Sequence, residues 1–118
     1  MNNIKPNRGE IWIVDLDPVK GHEQAKKRPC LVVSNNIYNH GPNNMIVILP
    51  ITSKDRQLPW HLEVLPGTST GLQKHSFIMC EQPRTVSKLR FEKKPLGTVS
   101  PSTLHLAQKR LEILLDFY

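Results

Sequence analysis

Residues 45–51 read MIVILPI, an apolar run interrupted only by Pro50. Its length and its β-branched residues favour a buried strand over a helix. Pro50 weakens the far end of that strand, because proline cannot donate to a ladder and marks an edge or a bulge. Working outward toward the N-terminus, residues 30–34 (CLVVS) form a second short apolar run. Residues 9–16 (GEIWIVDL) form another, which stops at Asp17-Pro18 as a buried strand entering a turn does. On the other side, residues 60–65 (WHLEVL) alternate Trp60, Leu62 and Val64 with His61 and Glu63, the pattern of a half-exposed strand. Residues 75–80 supply a further strand and residues 97–99 a sixth. Ser100 and Pro101 then provide a capping hydroxyl and a proline at the first helical position. Leu104, Ala107, Leu111 and Leu115 follow at helical spacing, so a helix is expected over about 101–116 with one apolar face. Five or six short strands and one terminal helix predict a small, mainly β domain, a partly open barrel.

The chain has 118 residues, a length that suits a single domain over residues 1–118. Sixteen Lys and Arg against ten Asp and Glu give a net charge of +6 and a positive field that favours anionic partners, nucleic acid first. No stretch approaches the roughly twenty apolar residues of a membrane span, and the first residues contain no apolar signal core. A soluble, cytoplasmic protein is therefore expected. Cys30 and Cys80 each sit inside an apolar run, which suits small buried hydrophobes better than a disulfide framework. The five histidines and two cysteines show no HxxxH or CxxC spacing, so no metal site and no cofactor are expected. Walker and GxGxxG loops are absent as well.

The segments between strands, residues 17–29, 35–44, 53–59 and 66–74, are loops where function concentrates. Residues 21–28 (GHEQAKKR) place His22, Glu23 and Gln24 beside Lys26, Lys27 and Arg28. Pro29 biases Arg28 toward an extended backbone. Its planar fork of donors suits phosphate oxygens. Histidine is tuned to neutral pH for proton transfer, whereas a glutamate needs its pKa raised against three neighbouring cations. At the end of the MIVILPI run, Thr52 and Ser53 carry hydroxyls held by a rigid element, followed by Lys54. Residues 80–85 (CEQPRT) bring Glu81, Gln82 and Arg84 out of a strand at a proline turn. There Gln82 can read a base edge, and Arg84 can stack or hold phosphate. Lys88, Arg90, Lys93 and Lys94 surround Phe91, a candidate aromatic platform for a base. Each of these stretches, taken alone, also reads as an ordinary polar loop or solvated face.

Together, RGEIWIVDLDPVKGHEQAKKRPCLVVS (8–34), VILPITS (47–53) and CEQPRT (80–85), in this order and followed by a helix, resemble the MazF/PemK/Kid family of toxin endoribonucleases. The resemblance implies a small SH3-like barrel shared with gyrase-poisoning toxins, and a homodimer. It also implies metal-independent, sequence-selective cleavage of single-stranded RNA, messenger RNA included. Cleavage would leave a 2′,3′-cyclic phosphate or 3′-phosphate and a 5′-hydroxyl, would inhibit translation, and would be neutralised by a cognate antitoxin. The family's catalytic arginine falls on Arg28, its strand-end threonine on Thr52, its loop carboxylate on Glu23, and the histidine of one branch on His22. Gln24, Lys26, Lys27, Ser53, Lys54, Glu81, Gln82 and Arg84 would line the RNA channel. One departure matters: that branch has an arginine where this chain has Met79, and an aspartate where it has Glu81. A mechanism that uses that arginine and aspartate therefore does not transfer whole. Two rival readings share the fold. One is a gyrase poison acting through terminal residues such as Phe117 and Tyr118; the other is a module that binds RNA or antitoxin without cleaving.

Overall fold

The computed structural model describes residues 3–16 and 27–117. Along the chain lie β1 (Glu10–Asp15), β2 (Lys27–Val32), a one-turn helix α1 (Asn36–Asn39), β3 (Met45–Thr52), β4 (His61–Val64), β5 (Ser76–Met79), β6 (Arg84–Ser87), β7 (Phe91–Thr98) and α2 (Pro101–Leu115). The strands form one seven-stranded sheet in the order β4-β5-β3-β2-β1-β7, with β6 also paired to β3. Every pairing is antiparallel. The path is open, since β4 and β7 end it without pairing to each other. Its ends are nonetheless drawn round. Thr98 N donates to Ser69 O at 2.9 Å. There the β4–β5 loop crosses β7 so closely that a Cβ on Gly71 would strike Leu96 and one on Gly97 would strike Ser69. This is the partly open barrel expected of the sequence.

Successive side chains of a strand point to opposite faces, and both faces of this sheet are apolar. Ile11, Leu31, Leu49, Ile51 and Ile78 form one core with Leu62, Val64 and Ala107 of α2. Trp12, Val14, Cys30, Val32, Ile46, Ile48, Val86 and Phe91 form the other. Burial on both faces explains why β2 and β3 read as continuous apolar runs. The α2 helix starts as expected: the Ser100 side chain accepts from Thr103 N at 3.1 Å, and proline follows at the first position.

Several expectations need correction. Arg84 and Thr85, read as the end of a polar turn, open a strand, Arg84–Ser87, paired to β3 from Met45↔Ser87 to Ile48↔Arg84. The last strand begins at Phe91 rather than at residue 97. It was obscured because β7 lies at the sheet edge with Glu92, Lys93, Lys94 and Pro95 exposed, and an edge strand tolerates charge and proline. Phe91 is no base platform: it is buried, with its ring edge-on to Trp12 at a centroid distance of 5.6 Å. Lys27, Arg28 and Pro29 belong to β2 rather than to the preceding loop, and the 35–44 segment contains α1. Leu115 is 49% exposed, so only Leu104, Ala107 and Leu111 of the expected helical stripe pack on the core.

Candidate functional site: a basic groove where two strands part

Strands β2 and β3 pair from Val32↔Ile48 to Cys30↔Pro50, where the ladder ends. Proline has no N–H to continue it. Beyond Pro50, β3 pairs instead with β5, through Ile51↔Ile78 and Thr52↔Phe77. Extending the β2–β3 register by two residues sets Arg28 opposite Thr52 across the gap. A groove of about 530 Å³ opens there. Lys27, Arg28 and Pro29 come from one strand and Ile51, Thr52, Ser53 and Lys54 from the end of the other, and Lys74 of the β4–β5 loop also lines it. Among the described lining residues none is acidic, so its field is positive. Lys27 also pairs with Glu92 of β7 at 3.3 Å, a half-exposed pair that tethers one cation beside the groove.

Thr52 is 8% exposed, and its Oγ1 accepts from Lys54 N at 3.2 Å. A hydroxyl that accepts in this way still has its own proton to donate. Arg28 supplies a permanent charge from a paired strand, opposite Val14. A phosphate between the two sides would meet donors from both.

Arg28 also lines a second groove, of about 410 Å³, with Leu16, Pro50, Met79, Gln82, Pro83 and Arg84. Its far wall is a bulged corner. From Ile51 to Ile48 the chain of β3 advances three residues, while the facing chain advances six, from Ile78 to Arg84. The three extra residues push the corner outward, and it carries Glu81, Gln82 and Pro83. Arg84 Nη2 donates to Leu16 O at 3.0 Å and Arg90 Nη1 to Asp15 O at 3.2 Å. Two arginines thus fasten the end of β1 where the chain departs toward the GHEQ stretch.

The structure therefore brings together Lys27, Arg28, Thr52, Ser53 and Lys54 around one groove, and Arg28, Gln82 and Arg84 around the other. His22, Glu23, Gln24 and Lys26 lie outside the described residues; the residues on either side, Leu16 and Lys27, line the second and first grooves. Glu81 lines neither. Its Oε2 sits 3.0 Å from Nε2 of His61. Partial burial pushes the Glu81 pKa up, but hydrogen bonds from its own backbone N–H, from His61 and from Gln82, with the charge of His61, outweigh that and hold it below the usual value. Met79, where part of the resembling family has arginine, is buried in the wall of the second groove. Its thioether cannot meet charge. Both cysteines are buried free thiols. Burial pushes Cys30 up to about 12 and Cys80 up to about 11, against the lowering influence of nearby arginines, so neither is an active thiolate.

Sequence reasoning missed Lys74 and His61. Lys74 sits in a loop whose path is set by the Gly71–Gly97 crossing, a contact without local signature. His61 alternates as a solvent-facing residue should, yet its side chain is 3% exposed because its partner comes from a corner twenty residues away.

An open antiparallel sheet, one terminal helix and a basic groove with an arginine opposite a strand-end hydroxyl define a small β protein suited to an anionic chain. Residues 7–115 match the PemK-like, MazF-like toxins of type II toxin–antitoxin systems, and the chain belongs to that family. The endoribonuclease MazF9 of Mycobacterium tuberculosis is 36% identical over 115 residues, covering 94% of this chain and 97% of its own. The endoribonuclease PemK of Escherichia coli is 32% identical over 108 residues, covering 92% and 80% respectively. Among solved structures, a MazE–MazF structure from Deinococcus radiodurans superposes with a TM-score of 0.82, covering 98% of this chain and 100% of its own at 23% identity. That likeness speaks for the fold. An endoribonuclease from a mycobacterial species gives a TM-score of 0.71 at 26% identity over 96% of this chain and 93% of its own.

Proposed function

We propose that this chain is the toxin of a toxin–antitoxin module and acts as an endoribonuclease on single-stranded RNA, with the scissile phosphate held in the groove between β2 and β3. The observation that carries this reading is the placement of Arg28 and Thr52 on opposite sides of a basic groove, in a chain whose family is one of toxins and whose relatives are named endoribonucleases. The 2′-hydroxyl beside the scissile phosphate attacks phosphorus, a bond forms between 2′-oxygen and phosphorus, and the bond to the departing 5′-oxygen breaks. Negative charge grows on the non-bridging oxygens as this happens. The Arg28 fork meets that charge, and the Thr52 hydroxyl donates to it while Lys54 N–H fixes the orientation of Oγ1. One of His22 and Glu23 takes the 2′-proton, and the other gives a proton to the departing 5′-oxygen. The products are a 5′-hydroxyl and a 2′,3′-cyclic phosphate, which one water opens to a 3′-phosphate and a restored 2′-hydroxyl. Nothing in this sequence of steps calls for a metal.

Gln24, Lys26, Lys27, Ser53, Lys54, Gln82 and Arg84 track the RNA on either side, and Glu81 acts from behind the corner. The active form is a cytoplasmic homodimer, and a cognate antitoxin neutralises it. Among the described residues no helix is long and apolar enough to cross a membrane. Cleavage of messenger RNA halts translation. The test is to incubate purified protein with end-labelled single-stranded RNAs in EDTA and identify the fragment ends by mass spectrometry. Discrete cuts ending in cyclic or 3′-phosphate are expected. Intact RNA, with the protein folded and free of antitoxin, would replace this reading with a binding role.

A further inference from the structure

His61 opens β4, in register with Met79 of β5, and its side chain is 3% exposed. Nε2 lies 3.0 Å from Oε2 of Glu81. Because an ionised carboxylate only accepts, Nε2 carries the proton and donates. The other atom of each group is buried without a hydrogen-bond partner among the described residues: Nδ1 of His61 and Oε1 of Glu81. Neither protonation state of the ring repairs this. A neutral ring leaves a buried lone pair at Nδ1, and a protonated ring leaves a buried N–H. Two buried polar atoms left unmatched in a pair whose histidine is buried and whose carboxylate is partly exposed make it a poor stabiliser, so the pair calls for an explanation other than stability.

Its surroundings supply one. The same Oε2 that His61 engages accepts from Gln82 Nε2 at 3.3 Å, and Gln82 N donates to Met79 O at 3.1 Å. Gln82 lines the second groove beside Arg28. A continuous line of contacts therefore runs from the edge strand through Glu81 to a side-chain amide at the groove. The three-residue bulge that carries this amide has no ladder of its own to fix it.

We infer that His61 is a positioning residue: through Glu81 it sets the orientation of the Gln82 amide, and so governs recognition of the nucleotide that amide contacts. This rests on the nuclease reading for its reaction but not for its geometry. His61 touches no substrate. Its removal is therefore expected to act on substrate recognition and not on the bond-breaking step.

A double-mutant cycle tests it, with kcat and KM measured on an RNA that the wild type cuts. Gln82→Ala and His61→Leu should each raise KM on the order of tenfold while kcat stays within about twofold. His61→Leu in the Gln82→Ala background should add less than about twofold, since the residue through which it acts is gone. His61→Gln, which keeps a donor toward Glu81, should recover most of the wild-type KM. If the Leu variant does not fold, Glu81→Gln, at the partly exposed partner, takes its place in the cycle. Effects that multiply independently, or a His61→Gln variant no better than Leu, would overturn the inference. Should the wild type leave RNA intact, the nuclease reading alone falls. The same cycle is then measured as the Kd for a mixed-sequence pool of 2′-O-methyl oligonucleotides, where the same non-additivity is expected and additivity or an absence of any effect would overturn the inference.

Discussion

Two polar clusters, each centred on a buried side chain, flank β3, and they are built differently. Near its start, Asn39 of α1 is wholly buried and fully engaged. Its Nδ2 donates to Ser34 O at 2.8 Å and to Asn36 Oδ1 at 3.3 Å, its Oδ1 accepts from the Ser34 hydroxyl, and Ser34 Oγ accepts from Val47 N at 3.0 Å. Near its other end, beside the grooves, His61 and Glu81 share one hydrogen bond and leave two buried atoms unmatched. The first cluster completes the hydrogen bonding of an irregular stretch and holds α1 against the sheet. The second holds a bulged corner in place at a cost in stability. A satisfied network belongs to the architecture, and a half-satisfied one marks where placement of a groove residue matters more than stability.

The contrast breaks most visibly at Asn39. Replacing it with Ala removes the donor to the Ser34 carbonyl and one partner of the Ser34 hydroxyl, which keeps its contacts to Val47, and a loss of about 1–3 kcal/mol is expected. Chemical denaturation measures it as a lower midpoint at unchanged slope, while RNA cleavage by the folded fraction remains at the wild-type rate. An equal loss of cleavage would erase the distinction between the clusters.

The opposite substitution sharpens it. Exchanging the second pair for apolar residues of similar size, His61→Leu with Glu81→Met, should leave stability within about 1 kcal/mol of wild type or raise it. Recognition of RNA should weaken in the same variant. A large destabilisation would instead assign the pair to the architecture.

The smallest expected effect is in acid. Because the folded-state pKa of Glu81 lies below its unfolded value, its contribution to stability is complete above the unfolded carboxylate range, about pH 4–4.5, and is lost as pH falls through the folded value. Denaturation midpoints measured between pH 6 and pH 3 should therefore fall less steeply for Glu81→Gln than for wild type. The Asn39 cluster has no titrating member, so Asn39→Ala should leave that slope unchanged.

The parts of this molecule legible in the sequence are those fixed by local pattern. Ile46, Ile48, Leu49 and Ile51 announce a strand buried on both faces, and Ser100-Pro101 announces the start of α2. The resemblance pointed to Arg28 and Thr52 as a pair, and the structure sets them on opposite sides of one groove. What escaped was nonlocal. Strand β7 carries its charges because its edge is open, and β6 follows a proline turn that reads as the end of structure rather than its resumption. His61 looked solvated because its burial depends on a corner of the chain that strand alternation cannot anticipate. The meaning of Pro50 was half visible: the residue does end a ladder, but β3 continues through it by changing partners, and that change opens the groove.

In the mechanism we propose, Arg28, across the gap from Thr52, stabilises charge on a phosphate attacked by the neighbouring 2′-hydroxyl. Its most direct test is the single-turnover cleavage rate of wild type and Arg28→Ala on the same RNA in EDTA, with thermal unfolding recorded for both. A fall of about a hundredfold or more at unchanged thermal stability is expected. Cleavage by the alanine variant at the wild-type rate would remove Arg28 from the charge-stabilising role.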